Sequence, residues 1–400
     1  MLGLVLEGGG AKGAFQAGAV KALVENGYVF DGVMGTSIGS LNGVMIAQGD
    51  FDKAYHLWET ITPSMILELD DDELNKYFQK QMDFKTYKYF ISVAKNFIVN
   101  KGLSVDKILL LLKDSIDEDK LRNSKTDFGL VTVMMNDGDF IPMEVFKEEI
   151  PYGKVSEYIM ASAYYPAFKN KPIGGKSYID GGVYDNMPIN PLIRRGYDHI
   201  IAIRTGSTMP HQKVVDKTVK IDYINPSEPL GDTLAFSHLL TEKNLNLGYY
   251  DAMRYVKGYY GRHFYVESEG EDAYYRFVQD IPKCVVEEAK EIFSLPEDTT
   301  DMEVFNVFLS RLSKYFSIST ECSNLERLVI GMEYFAKKYK IEKFHVYKFS
   351  EFVDAIIEKH DPEAERKSDF KKLLDKLFDR KIEYIFNKFL DVKALELRQK

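Results

Sequence analysis

Residues 4–20 read LVLEGGGAKGAFQAGAV, and this stretch decides the fold. A short apolar strand over residues 2–6 runs into Gly8, Gly9 and Gly10, then Lys12, then a segment over 12–26 that predicts a helix stopped at Gly27. The small residues Ala14, Ala17, Gly18 and Ala19 let that helix pack close to a sheet. The alternation then repeats. YVFDGVMG, residues 28–35, predicts a second strand, and residues 38–48 predict a second helix. Strand, helix, strand and helix in such close succession predict an α/β fold with a mostly parallel central sheet flanked by helices in three layers.

The glycine loop admits two readings. Gly8 to Gly13 satisfies G-x-G-x-x-G between a strand and a helix, the pattern that seats a dinucleotide pyrophosphate on a helix N-terminus. That reading asks for an acidic residue about twenty positions on, closing the second strand. Asp31 instead stands before GVMG. A glycine run also exposes successive backbone N–H groups beside the positive end of the helix dipole. Such a nest suits any anion, including the transient oxyanion of acyl transfer.

The second strand ends in GTSIG, residues 35–39. G-x-S-x-G arises by chance in on the order of one chain in ten of this length. Here it falls at a strand-to-helix junction, where a nucleophilic serine must sit on a sharp turn. Gly35 and Gly39 tolerate the backbone, and Ser37 is the candidate nucleophile. The α/β-hydrolase fold places several strands before this elbow and a histidine late in the chain. Ser37 has one strand before its own, and none of His56, His199, His211, His238, His263, His345 and His360 stands in a turn of that kind. The base must come from elsewhere. YIDGGVYDNMPINP, residues 178–191, supplies Asp180, followed by Gly181 and Gly182, which let another element approach. At an ordinary pKa of about 3.9 an aspartate is a weak base, so this role requires burial to raise it. Asp185 is the second candidate.

Residues 51–125 predict helices rich in aromatics. Strands are expected at 128–135, 140–146, 167–171, 177–179, 197–206 and 219–225, with helices at 154–163 and 230–257. The character changes at a soft boundary near 265–280, beyond which 301–317, 324–338, 350–359 and 368–397 predict a helical C-terminal subdomain. The last of these carries Phe370, Leu373, Leu374, Leu377, Phe378, Ile382, Ile385, Phe386, Phe389 and Leu390 at helical spacing. A formal net charge of −9 excludes nucleic acid as the main partner. Cys284 and Cys322 stand far apart without ligand-like neighbours, and no dense carboxylate loop suits calcium, so neither metal nor cofactor is expected. No leader-like segment opens the sequence and no apolar run approaches the roughly 20 residues of a membrane span. The expected setting is cytoplasmic, with peripheral membrane association.

EGGGAKG (7–13), GTSIG (35–39) and DGG (180–182), in this order, resemble the patatin-like phospholipase family. MASAYYPAF (160–168) is similar to the family's segment before the aspartate, and DNMPINPLIRRGYDHIIAI resembles the family's segment after it. The resemblance covers roughly residues 1–260, and 270–400 match no feature of the family. Glu7 stands where the family usually has Asp, and Phe168 follows Pro166 one position early. The resemblance implies an acyl hydrolase domain over 1–265, with 60–125 as a helical insert or cap. It implies a Ser37–Asp180 dyad, an oxyanion hole from Gly8, Gly9, Gly10, Ala11, Lys12 and Gly13, and a lipid or phospholipid substrate, met at a membrane surface. The expected reaction is cleavage of carboxylic esters, of phospholipase A or lysophospholipase type. Two alternatives belong to other classes: a lipid-binding protein without turnover, and a nucleotide-binding protein using Gly8–Gly13.

Overall fold

In a computed structural model, residues 1–400 are described except 67–69, 79–82, 84, 90–91, 93–101, 137, 361–379 and 400. They form two compact units, Met1–Val256 and Lys257–Lys400.

The first unit is built on a seven-stranded sheet. Its strands are β1 (Leu2–Leu6), β2 (Gly32–Thr36), β3 (Asp127–Asn136), β4 (Asp139–Phe146), β5 (Ser177–Asp180), β6 (His199–Ile203) and β7 (Lys220–Ile224). The order is β4-β3-β2-β1-β6-β7, with β5 also paired to β3. β1, β2, β3, β6 and β7 are parallel, while β4 and β5 run antiparallel to β3. This is the mostly parallel sheet that the opening alternation predicts.

Successive strand residues point to opposite faces, and both faces are covered. Phe128 and Leu130 pack against helices α1 (Gly13–Glu25), α2 (Ile38–Ala47) and α3 (Phe51–Thr60) and the helices Asp106–Ser115 and Val155–Ser162. Val5, Met34 and Val131 pack on the other side against Met187, Ile189 and Leu192. Helix α1 ends where Gly27 adopts φ 83°; the Gly27 and Tyr28 amides then close on the carbonyls of Val24 and Leu23. At Gly18, an added Cβ would lie 1.9 Å from the Leu245 carbonyl oxygen, so α1 crosses the helix His238–Lys257 backbone to backbone.

One register decides where the chemistry falls. The first half of β3 pairs with β2, ending at Thr36 opposite Val131. The second half pairs with β5, ending at Asp180 opposite Thr132. β2 and β5 thus arrive from opposite directions, and their C-terminal ends meet beside consecutive residues of β3.

Several boundaries differ from expectation. The second strand begins at Gly32 rather than 28, because pairing with β1 starts at Gly3↔Gly32 and residues 28–31 are spent leaving α1. The strand expected at 197–206 is His199–Ile203. Residues 167–171 form no strand: Phe168 makes a single bridge to Leu103, and Pro172 has no N–H to extend a ladder. The helix expected from 230 begins at His238. Residues before it are diverted to the glycine loop, where the Thr233 carbonyl accepts the Ala11 N–H at 2.8 Å.

Of the insert, the described residues include the helices Pro63–Ile66, Asp71–Phe78, Asp106–Ser115 and Glu118–Asn123; most of the aromatic run over 77–99 lies outside them. The second unit is helical, as expected. Phe305, Phe308, Leu328, Met332, Phe335, Phe352 and Ile356 form its core. Its last described helix is Arg380–Gln399, whose Ile382, Ile385, Phe386, Phe389 and Leu390 are buried; the expected beginning, 368–379, lies outside the described residues. A short parallel pair, β8 (Tyr265–Glu267) and β9 (Val346–Lys348), is not expected from the sequence pattern. In this unit buried Glu333 accepts the N–H groups of Arg262, His263 and Phe264 at 2.8, 2.7 and 2.8 Å.

Candidate active site

Ser37 is held at φ 55°, ψ −124° between β2 and α2. A non-glycine residue there stores strain of about 1–3 kcal/mol and persists because its surroundings fix it. Those surroundings are polar and specific. The Ser37 N–H donates to the Ser162 hydroxyl at 2.9 Å, and that hydroxyl donates to the Val131 carbonyl at 2.6 Å. The Thr36 hydroxyl donates to the Asp185 carbonyl at 2.8 Å. Behind the elbow the two glycines touch: a Cβ on Gly35 would lie 2.3 Å from the Gly39 carbonyl carbon. Any side chain there would push α2 off β2.

Asp180 is buried where β5 meets β2. Burial pushes its pKa up to about 6, opposed by hydrogen bonding from Ser37 and from the Gly182 N–H, which donates at 2.8 Å. The dominant cause is loss of solvation of the charged form. The group is therefore a stronger base than a solvated aspartate, while still ionised at neutral pH. Asp185 is placed otherwise. Its carboxylate accepts the N–H groups of Met187 and Gln212 at 3.3 and 3.2 Å, and its backbone carbonyl receives Thr36. It holds a loop and does not line the cavity at Ser37.

The glycine loop lies beside Ser37: a Cβ on Gly8 would approach the Ser37 Cβ to 3.3 Å. Of the six loop residues singled out in the sequence, four spend their N–H groups on the protein. Gly8 donates to Asn186, Ala11 to Thr233, Lys12 to Gly9 and Gly13 to Gly10 and Ala11. The N–H groups of Gly9 and Gly10 make no hydrogen bond among the described residues. Gly10 adopts φ 58°, and a Cβ there would strike the Thr233 carbonyl oxygen at 2.2 Å, so only glycine fits. The Glu7 carboxylate accepts from the Thr205 N–H, and the Thr205 hydroxyl donates to the Gly8 carbonyl at 2.7 Å. The Asn186 side-chain amide also donates to the Gly8 carbonyl, at 3.2 Å. Ser162, Asn186 and Thr205 are thus functional neighbours that the sequence motifs do not single out. The first two lie inside the quoted MASAYYPAF and DNMPINP segments, while Thr205 carries no signal of its own.

Ser37, Asp180, Gly8–Gly10 and Lys12 share one cavity of about 630 Å³. Along α2 and α3 its wall carries apolar side chains, with Ile38, Leu41 and Met45 from α2, Ala54, Leu57 and Trp58 from α3, and Leu112 and Phe236 beside them. The Trp58 indole donates to Asn42 at 2.9 Å and stacks on Phe236, fixing α3 against α2. His56 also lines the cavity, but its ring pairs with Glu59 at 3.2 Å on the exposed side of α3. Among the described residues no group of three or more His, Cys, Asp or Glu could hold a metal ion, and no helix is long and apolar enough to cross a membrane.

A strained serine elbow, a buried carboxylate and two glycine amides without a partner among the described residues thus lie together at the end of one cavity. Residues 4–193 match the family model for patatin-like phospholipase. An uncharacterized NTE family protein of Mycobacterium tuberculosis is 25% identical over 224 residues, covering 56% of this chain and 54% of that protein. A patatin-like phospholipase domain-containing protein of Caenorhabditis elegans is 26% identical over 245 residues, covering 60% of this chain and 15% of that protein. Lysophospholipase nte1 of Aspergillus terreus is 53% identical over 47 residues, 12% of this chain and 3% of that protein. The chain thus spans about half the length of the mycobacterial relative and a smaller part of the other two.

Proposed function

We propose that this protein is a serine acyl hydrolase that cleaves carboxylic ester bonds of lipids, of phospholipase A or lysophospholipase type. One observation carries the reading: β3 brings the ends of β2 and β5 together, so the strained Ser37 faces buried Asp180 at the head of an apolar cavity. The Ser37 hydroxyl attacks the ester carbonyl carbon. Asp180 accepts its proton and delivers it to the leaving alcohol. The Gly9 and Gly10 amides hold the oxyanion of the tetrahedral intermediate. Water then attacks the acyl-enzyme carbonyl carbon as Asp180 takes its proton; the bond to Ser37 Oγ breaks, Asp180 returns the proton to that oxygen, and the fatty acid leaves. The substrate is a lipid or phospholipid ester met at a membrane surface; Tyr165, Val183 and Met209, each more than a third exposed, line the Ser37 cavity and give it an apolar rim.

The test is hydrolysis of p-nitrophenyl esters and lysophospholipid by wild type, Ser37→Ala and Asp180→Asn, without added metal. Wild-type turnover lost in both variants, with unfolding transitions retained, supports the dyad. Full activity of Asp180→Asn removes it. Wild type inert on every ester removes the hydrolase reading.

A further inference from the structure

The cavity has a direction and an end. Helix α2 leaves Ser37 and runs along it, while α3 returns antiparallel, so that Trp58 stands beside Asn42 near the nucleophile and Ala54 stands at the level of Met45. From Ser37 to Met45 the lining advances by eight residues of helix, about 12 Å. Beyond Met45 and Ala54 the wall turns polar at Lys53, Asp114 and Ser115. There the Lys53 ammonium donates to the Asp114 carbonyl at 3.1 Å, joining α3 to the helix Asp106–Ser115. The Gln48 side chain ties the same end by donating to the Ser115 carbonyl at 3.1 Å.

We infer that this cavity is a ruler for the acyl chain of the substrate, ending at the Lys53–Asp114 contact and selecting medium-length chains. The inference rests on Ser37 being the nucleophile of a lipid esterase. An extended hydrocarbon built of C–C bonds of about 1.52 Å advances about 1.3 Å per carbon, so about 12 Å of wall sheathes about nine carbons. Within that length each methylene exchanges water for apolar side chains. Beyond it the chain meets an ammonium and a helix-end carbonyl, and gains nothing without breaking their hydrogen bond.

A ruler of this length sets the substrate profile. Along p-nitrophenyl esters from acetate to palmitate, kcat/KM rises about fourfold per methylene at first. The rise stops near decanoate. Ala54→Phe fills the far half of the ruler and moves the break several carbons shorter. Met45→Phe narrows the same level and serves if Ala54→Phe does not fold. Lys53→Ala removes the closing contact and lets laurate and myristate continue the rise.

Fatty-acid binding to Ser37→Ala, read as a shift of the unfolding transition, gives a second measure that needs no turnover. It should break at the same chain length and move with Ala54→Phe. Esters hydrolysed with a break that neither Ala54→Phe nor Met45→Phe moves, or with no break at all, overturn the ruler while leaving the hydrolase reading intact. Fatty acids binding with a movable break in a protein that hydrolyses nothing keep the ruler and remove the hydrolase.

Discussion

Each of the two units buries a carboxylate, and the two are treated in opposite ways. Glu333, in the helical unit, accepts three backbone amides from Arg262, His263 and Phe264 and fastens a loop to the helix Asn324–Lys338. Asp180, in the sheet unit, receives one backbone amide, from Gly182, and otherwise faces Ser37. The carboxylate wrapped in amides does architecture. One left short of donors resists charging, and that resistance is what makes it a useful base.

The contrast can be broken at either end, and the largest effect is expected on activity. Asp180→Asn keeps an acceptor for the Gly182 amide but cannot take a proton. Ester hydrolysis should fall about 10⁴-fold, read as kcat/KM on a soluble ester. Next comes the other carboxylate. Glu333→Ala strands three amides, of which that of Phe264 is buried, and should lower the stability of the helical unit by about 3–5 kcal/mol. Amide exchange at Arg262–Phe264 and urea unfolding would register it; unaltered exchange would show that the amides find other partners.

A smaller effect concerns Asp180 again, now as a cost to folding. Its folded pKa of about 6 lies above the ordinary 3.8, so the penalty of ionising it in place is absent below pH 4 and complete above pH 6. Asp180→Asn removes that penalty. The variant should be more stable than wild type by about 3 kcal/mol at pH 8, at about 1.36 kcal/mol per pKa unit, and equal to it near pH 4. The same titration shapes catalysis. Wild-type kcat/KM should fall about tenfold per pH unit below pH 6 and stay level above it, since only the ionised form accepts the Ser37 proton. A limb centred near 4 would mean that the carboxylate is solvated. Smallest is Ser162→Ala, which removes the acceptor of the Ser37 N–H. It should cost about tenfold in kcat through positioning, with KM and the acid limb in place.

The range of each signal decides how much of this is legible in the sequence. Strand, glycine loop and elbow are local, and the chain writes them within residues 2–39. The C-terminal stripe of Ile382, Ile385, Phe386, Phe389 and Leu390 is legible for the same reason, since helical spacing reports a buried face without needing a partner. Register is not legible. Nothing in DGG says that Asp180 pairs with Thr132, one residue beyond the partner of Thr36, and the juxtaposition with Ser37 depends on that. Thr205 and Asn186 support the Gly8 carbonyl from distant parts of the chain, and a hydroxyl or amide that finishes a loop has no pattern of its own. The boundaries that moved, at residue 28 and residue 230, moved because stretches with strand or helix character are claimed by a helix exit and by the glycine loop.

Because Thr36 and Asp180 are indexed to neighbouring residues of a single strand, the approach of Ser37 to Asp180 is set by register rather than by the length of chain between them. The described parts of 48–126 and 147–176 lie between strands of the sheet, and apart from Ser162, which receives the Ser37 N–H, they take no part in that register. The lining residues of α3 and the helix Asp106–Ser115 fall within the first of those excursions. The cavity wall can thus vary on one side of a strand whose register holds Ser37 against Asp180.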